Sequence, residues 1–238
     1  MKIPLKLLLT SFSEFVAPRH CIVCNEYLGV SERRFEFFCD KCFDSIPLAP
    51  EPDYILNRLV SYYSQDELAI SEAVSLMSVS SKSDFMELIY SLKYYGFSKI
   101  GIELGRELGR RLIIYGKGKY DIVVPVPIHT ARMRERGYNQ SEFIARGISS
   151  VIESKVANKV IKRVKYTQTQ TQLSSAQRRK NVENVFEPYH KNLYINGQNI
   201  LLIDDVLTTG STLNCCAKLL LEMGACNVDV ATVAYAES

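Results

Sequence analysis

Two carboxylates stand side by side at Asp204-Asp205, directly after the apolar run Ile200-Leu201-Leu202-Ile203 and directly before Val206-Leu207-Thr208-Thr209-Gly210-Ser211-Thr212. Unpaired carboxylates are costly to bury, so this pair should face a ligand or solvent. The small hydroxyl residues and the glycine that follow open a helix. Backbone N–H groups, hydroxyls and the positive end of the helix dipole converge there, which is the chemistry of a site for a phosphate monoester.

A second constellation is sulfur. Cys21-Ile-Val-Cys24 is followed, after fourteen residues, by Cys39-Asp-Lys-Cys42. Two CxxC knuckles on opposing turns supply four thiolates for a tetrahedral zinc ion, with the Phe35-Glu36-Phe37-Phe38 run leading into the second knuckle and Gly29 in the turn between them. A module this small buries too little apolar area to fold alone, and metal binding worth roughly 10 to 16 kcal/mol would supply the difference. A redox CxxC is the competing reading, but two pairs outside a βαβ unit favour metal. A closed set of four thiolates leaves no open position for catalysis, so its role is structural or for docking a partner. Cys215, Cys216 and Cys226 have no ligand spacing and read as packed thiols.

The third group is basic. Arg132, Arg134 and Arg136 alternate with Met133 and Glu135 after the run Val124-Pro-Val-Pro127. On an extended loop they could present several guanidinium forks to one anion. A solvated basic rim is the alternative. Lys93 follows an apolar helix face and either projects toward a cleft or sits on the surface at a helix end. His129 is either a base or, as histidines beside strand ends more often are, a satisfied structural group.

The elements that would carry these residues can be read from periodicity. Residues 72–80 read as a strand and 84–94 as a helix ending at Gly96. Gly101, Gly105 and Gly109 recur every fourth residue, which puts them on one helical face and lets another backbone approach. From Asp121 onward strands and helices alternate: 121–127 strand, 139–152 helix, 158–164 strand, a polar stretch, 199–206 strand, 211–224 helix, 227–236 strand. This is the pattern of an α/β parallel sheet with crossover helices, which binds ligands at the carboxyl ends of its strands. The TQTQTQ run at 167–172 is too polar to pack.

The chain has 238 residues, 47% hydrophobic and 23% charged, with a formal charge of +3, enough for one large domain or one domain and a small module. The prolines at 47, 50 and 52 place the boundary near residue 50, giving a helix and cysteine module over 1–50 and an α/β domain over 51–238. No stretch approaches the roughly 20 apolar residues of a membrane-spanning helix, so no membrane insertion is expected. The opening MKIPLKLLLTSFSEFVAPR has a short apolar run, contains Glu14 and lacks a small-residue cleavage site, and Leu5, Leu8, Leu9, Phe12, Phe15 and Val16 fall at helical spacing, which reads as a docking helix of a cytoplasmic protein. Charge is uneven: residues 43–90 hold eight acidic and two basic side chains, whereas residues 129–180 hold twelve basic and three acidic. Such a segment suits a phosphate-rich ligand or nucleic acid, or is a solvated basic face.

The run LLIDDVLTTGSTL resembles the phosphoribosyl-pyrophosphate (PRPP) signature of type I phosphoribosyltransferases. With the cysteine module, SLKYYG at 91–96, VPVPIHTARMRERGYNQSE at 124–142 and TQTQLSSAQRRKNVENVF at 169–186, most of the chain resembles the ComF/GntX family. Thr130 departs from it, since relatives often carry proline there, which leaves the shape of that loop open. The resemblance implies a type I phosphoribosyltransferase-like parallel sheet with flanking helices beside a zinc-ribbon-like module holding Zn2+ on Cys21, Cys24, Cys39 and Cys42. It implies that Asp204 and Asp205 bind ribose, that Thr208, Thr209, Gly210, Ser211 and Thr212 hold the 5′-phosphate with Val206 and Leu207 also in the PRPP site, and that Arg132, Arg134 and Arg136 meet the pyrophosphate. Asp204, Asp205, Arg132 and Arg136 would be catalytic, Lys93 would reach the cleft, and Gln170, Arg178 and Asn181 would belong to a flexible loop over it. Magnesium would accompany PRPP. The implied function is PRPP binding, with or without phosphoribosyl transfer to an acceptor, in competence and DNA uptake. The alternatives are a non-catalytic module that binds single-stranded DNA or senses PRPP. Tyr138, Phe143 and Tyr166 could stack on bases, although Phe143 suits the core, and competence helicase-type proteins are the expected partners.

Overall fold

The run Asn199–Leu207 forms the middle strand of the sheet, and its side chains sort by parity. Leu201 and Ile203 enter one apolar cluster, Ile200 and Leu202 the other, each fully buried. A strand buried on both faces reads as a continuous hydrophobic run, which is what this segment shows. The computed structural model describes residues 19–29, 34–64, 66–80, 83–94, 98–165, 185–190 and 195–236.

In chain order the elements are α1 (Asp40–Asp44), α2 (Pro52–Val60), β1 (Ala73–Val79), α3 (Met86–Tyr94), α4 (Ser98–Ile114), β2 (Ile122–Pro125), α5 (Thr130–Arg136), α6 (Gln140–Ile152), β3 (Lys155–Val156), β4 (Ile161–Arg163), β5 (Phe186–Pro188), β6 (Asn199–Leu207), α7 (Ser211–Glu222) and β7 (Asn227–Ala236). Five strands pair in the order β1-β7-β6-β2-β3, every pair parallel, so the expected parallel sheet with flanking helices is present. One face carries α4 and α6 through Leu104, Leu108, Ile144 and Ile148; the other carries α7 through Leu213, Cys216, Ala217 and Leu220.

The glycines of α4 work as their spacing implies. A Cβ on Gly105 would lie 2.2 Å from the Ile144 carbonyl oxygen and 3.1 Å from the Gly147 Cα, so α4 and α6 touch backbone to backbone. The free edge of β1 is covered by the segment after the cysteine knuckles, where the Ser78 N–H donates to the Pro47 carbonyl and the Ala49 N–H to that of Leu76. Phe35, Phe38, Cys39, Cys42 and Ile46 belong to the same apolar cluster as α4, and the Arg34 guanidinium reaches the buried Glu107 of that helix at 3.1 Å.

One expectation needs correcting here. The strand read at 158–164 is not in the parallel sheet: Ile161–Arg163 pairs antiparallel with Phe186–Pro188, and the sheet edge is taken by Lys155–Val156. The polar interruptions Lys159, Lys162 and Arg163 suit a half-exposed ribbon better than a strand buried on both faces. The central strand, read at 199–206, runs one residue further, to Leu207. Its ladder with β7 continues through Asp204↔Thr232 to Leu207↔Tyr235, so both carboxylates lie on the strand. The docking helix of the first residues, Gly96 and the TQTQTQ run lie outside the described residues.

Candidate functional site

Where β6 ends, Thr208–Gly210 turns the chain into α7. Gly210 is left-handed at φ 71° and serves as N-cap, lending no side chain to the first-turn N–H groups of α7. A Cβ at that position would stand 2.7 Å from Leu59 Cδ2, so the turn requires glycine for its conformation and for its contact with α2. Asp204, Val206, Thr208, Gly210, Ser211, Thr212 and Leu213 line a hollow of about 50 Å³. Thr209 is buried, its hydroxyl donating to that of Ser211 at 3.3 Å, and the Leu207 side chain packs in the core. The buried Asn214 carboxamide anchors the turn from behind, accepting from the Ala69 N–H at 2.7 Å and donating to the Glu67 carbonyl at 2.9 Å.

The two acids differ. Asp204 is half-buried and lines the hollow; its Oδ1 accepts from the Ser141 hydroxyl at 3.1 Å and from the Asp205 N–H at 2.9 Å. Asp205 is only 5% exposed, and its Oδ2 takes Lys93 Nζ and Gln140 Nε2, each at 3.1 Å. The expectation that both acids face a ligand or solvent therefore holds for Asp204 and fails for Asp205, whose burial is compensated by an ammonium. Burial and then the Asp205 charge push the Asp204 carboxyl up to about 7. For Lys93, burial disfavours the ammonium, but the attraction of Asp205 outweighs it and raises the group above its ordinary value.

Helix α6 delivers two of these partners. Asn139 caps it, accepting from the Ser141 N–H at 3.2 Å while donating to the Val126 carbonyl at 3.0 Å, which pins its first turn to the end of β2. Gln140 and Ser141 thereby meet the acids. Sequence reading passed over both; the asparagine cap in GYNQSE was the available signal.

The arginines are not on an extended loop. They lie on α5, which His129 caps by accepting the Ala131 N–H on Nδ1 at 3.2 Å and which the left-handed Gly137 ends. Helical geometry turns alternate residues about 200° apart, so no common face for the three exists. Arg136 is half-buried, donates to Gln140 Oε1 at 2.9 Å and lies over the Tyr94 ring at 5.2 Å; Arg132 is half-buried and Arg134 exposed. Arg163, on β4, is a basic residue sequence reading did not single out. Burial and then Arg132 lower its pKa against the attraction of Asp204, and its guanidinium lies 5.5 Å from the Phe186 ring. Of the aromatic candidates, Tyr138 is engaged, donating to the Leu92 carbonyl at 2.6 Å and packing edge-on against Phe143. Gln170, Arg178, Asn181 and Tyr166 lie outside the described residues.

The cysteines converge. The four Sγ atoms of Cys21, Cys24, Cys39 and Cys42 lie within 4.8 Å of one another. Neighbouring sulfurs of a tetrahedron with zinc–sulfur distances of about 2.3 Å stand about 3.8 Å apart, and Cys24 and Cys39 are 3.8 Å apart. Burial opposes the Cys21 thiolate, but N–H groups of Cys24, Cys39 and Val23 outweigh it and bring the thiol down to about 7; the Cys39 N–H lies 3.4 Å from its sulfur. Burial, with the neighbouring sulfurs, raises Cys42. A cation at the centre would reverse that penalty, so the donor set fits a metal ion. Among the described residues no helix is long and apolar enough to cross a membrane.

Comparison with known proteins bears on the family and the fold. Residues 134–238 match the phosphoribosyl transferase domain family. The chain is 37% identical over 110 residues to competence protein F of Haemophilus influenzae, covering 46% of this chain and 48% of that protein, so the match spans about half the relative's length. It is 33% identical over 160 residues to DNA utilization protein YhgH of Salmonella typhi, covering 65% of this chain and 69% of that one. Among solved structures, glutamine PRPP amidotransferase from B. subtilis aligns at 19% identity and a TM-score of 0.40, over 60% of this chain and 30% of the other. From the sheet and its strand-end turn, the matched domain and these relatives, the chain belongs to the ComF family, with a phosphoribosyltransferase fold.

Proposed function

We propose that this chain binds PRPP with magnesium at the carboxyl end of β6, in the setting of competence and DNA uptake that its relatives' names indicate. The observation that carries the reading is the Thr208–Thr212 turn. A left-handed glycine leaves the N-terminus of α7 without a side-chain cap, hydroxyls of Thr208, Ser211 and Thr212 surround it, and the carboxylate of Asp204 lines the same hollow. The N–H groups and helix dipole suit the 5′-phosphate, and the carboxylate lining the same hollow suits ribose hydroxyls. The four-cysteine cluster holds zinc as a structural ion.

As a transferase, the site would break the C1–O bond of PRPP, the electron pair leaving with the diphosphate while an acceptor nucleophile forms the new bond to C1. Magnesium, when bound, supplies charge neutralisation at the departing diphosphate. The chain's own part is to fix the 5′-phosphate, to orient the ribose through Asp204, and to offer guanidinium charge from α5 to the diphosphate.

Calorimetric titration with Mg2+ and PRPP tests the reading: saturable binding weakened by competing ribose 5-phosphate is expected, and no heat at any concentration would overturn it. Pyrophosphate release over a panel of acceptors separates a transferase from a PRPP sensor. A second reading, a module that handles single-stranded DNA, is favoured by the basic residues of 129–165 and by the DNA-related names of the relatives. Its mark is binding to single-stranded oligonucleotide that falls steeply with salt.

A further inference from the structure

Five side chains around the end of β6 close a ring. Lys93 Nζ on α3 meets Asp205 Oδ2 on β6 at 3.1 Å; the same oxygen accepts from Gln140 Nε2 on α6 at 3.1 Å. Gln140 Oε1 in turn accepts from Arg136 on α5 at 2.9 Å, and the Arg136 guanidinium lies over the ring of Tyr94 at 5.2 Å. Tyr94 is the chain neighbour of Lys93, which closes the circuit. Four separate elements are thus joined through one carboxylate.

The family resemblance assigns both acids to the sugar, but the ring commits Asp205 elsewhere. Its one engaged oxygen carries two partners, Asp205 is 5% exposed, and it does not line the hollow. Asp204 does line it, with Oδ1 held in place by Ser141 and the Asp205 N–H. We propose that Asp205 is a positioning residue that acts through Lys93 and Gln140, clamping α3, α5 and α6 to the strand end, and that Asp204 alone meets the vicinal hydroxyls of the sugar. This rests on the PRPP reading above and refines it. Lys93 and Arg136 belong to the clamp as well. Removing one partner of a buried ion pair leaves the other charge uncompensated, so each single neutralisation should loosen the same clamp.

The test is a double-mutant cycle on the full chain, with PRPP affinity in magnesium and thermal midpoint both measured for Lys93→Met, Asp205→Asn and the double variant, alongside Asp204→Asn and Lys93→Arg. Lys93→Met and Asp205→Asn should each lower the midpoint by about 5 °C or more. Their effects on affinity should be non-additive, the double variant binding no more weakly than the worse single one. Lys93→Arg should restore most of both quantities. Measured at pH 8, where Asp204 is ionised, Asp204→Asn should weaken PRPP by about 30-fold or more, through loss of hydrogen bonds to an ionised group, without lowering the midpoint. Multiplying losses for Lys93→Met and Asp205→Asn, or loss of binding on Asp205→Asn with Lys93→Met at wild-type affinity, would overturn the assignment and return Asp205 to the sugar. Failure of the wild-type chain to bind PRPP would instead overturn the PRPP reading, and the ligand-free thermal cycle would still decide whether the clamp exists.

Discussion

Gly105 and Gly147 meet where α4 crosses α6, and neither can carry a side chain without displacing the other helix: a Cβ would lie 2.2 Å from the Ile144 carbonyl oxygen in the first case and 2.3 Å from that of Ile102 in the second. The contact matters to function because α6 brings Gln140 and Ser141 to the acids. The obstructing atoms are backbone, which cannot swing aside.

Gly105→Ala should therefore destabilise the fold by about 2 kcal/mol, because overpacking against backbone outweighs the roughly 1 kcal/mol that alanine normally gains over glycine inside a helix. Urea denaturation reads it directly. A variant as stable as the parent would mean that the two helices are farther apart than described.

The pH dependence of stability carries the signature of Asp204. Its carboxyl is pushed up to about 7 by burial and by the Asp205 charge, while an unfolded aspartate titrates near about 4. Between those values the folded chain binds the extra proton, so this residue makes stability fall as pH rises from about 4 to about 7, with no further change above. Asp204→Asn should be more stable than the parent at pH 8, and the gap should narrow toward pH 4. A gap of the same size at pH 5 and pH 8 would contradict the assignment.

Removal of metal should open the cysteine module. Phe35 stacks on Phe38 at 4.3 Å, Arg34 lies 4.1 Å from the Phe43 ring, and Cys39 and Cys42 are buried beside them. The purified chain should carry about one equivalent of zinc. Cys39→Ser or a strong chelator should lower the thermal midpoint and raise the fluorescence of a dye that binds exposed apolar surface. A metal-free chain with an unaltered midpoint would show that packing alone sustains the module.

Much of this was legible before any coordinates. The apolar run into Asp204-Asp205 placed the central strand, the TTGST turn placed the start of α7, the cysteine spacing placed the four-sulfur cluster, and the fourfold glycine spacing placed a close helix crossing at α4. These are local signals, set by period, capping and ligand spacing. The arginines misled because alternation with Met133 and Glu135 has the period of a strand; the cap at His129 and the stop at Gly137 outweighed it. The ion pair of Lys93 with Asp205 was hidden for a different reason. It joins residues 112 positions apart, and nothing in the neighbourhood of either residue reports on the other. The antiparallel partner of β4 was likewise set by a segment more than twenty residues downstream.

The turn at Gly210 carries the central claim, that an anionic sugar phosphate sits against the start of α7. Alanine there must adopt a left-handed conformation and push against Leu59, which disturbs the N–H groups that would face the phosphate. Titration calorimetry of wild-type and Gly210→Ala chains with PRPP in magnesium should give saturable binding to the first and affinity lower by about tenfold or more for the second, a loss of about 1.4 kcal/mol. Equal affinity for the two chains would place the ligand elsewhere and contradict the account.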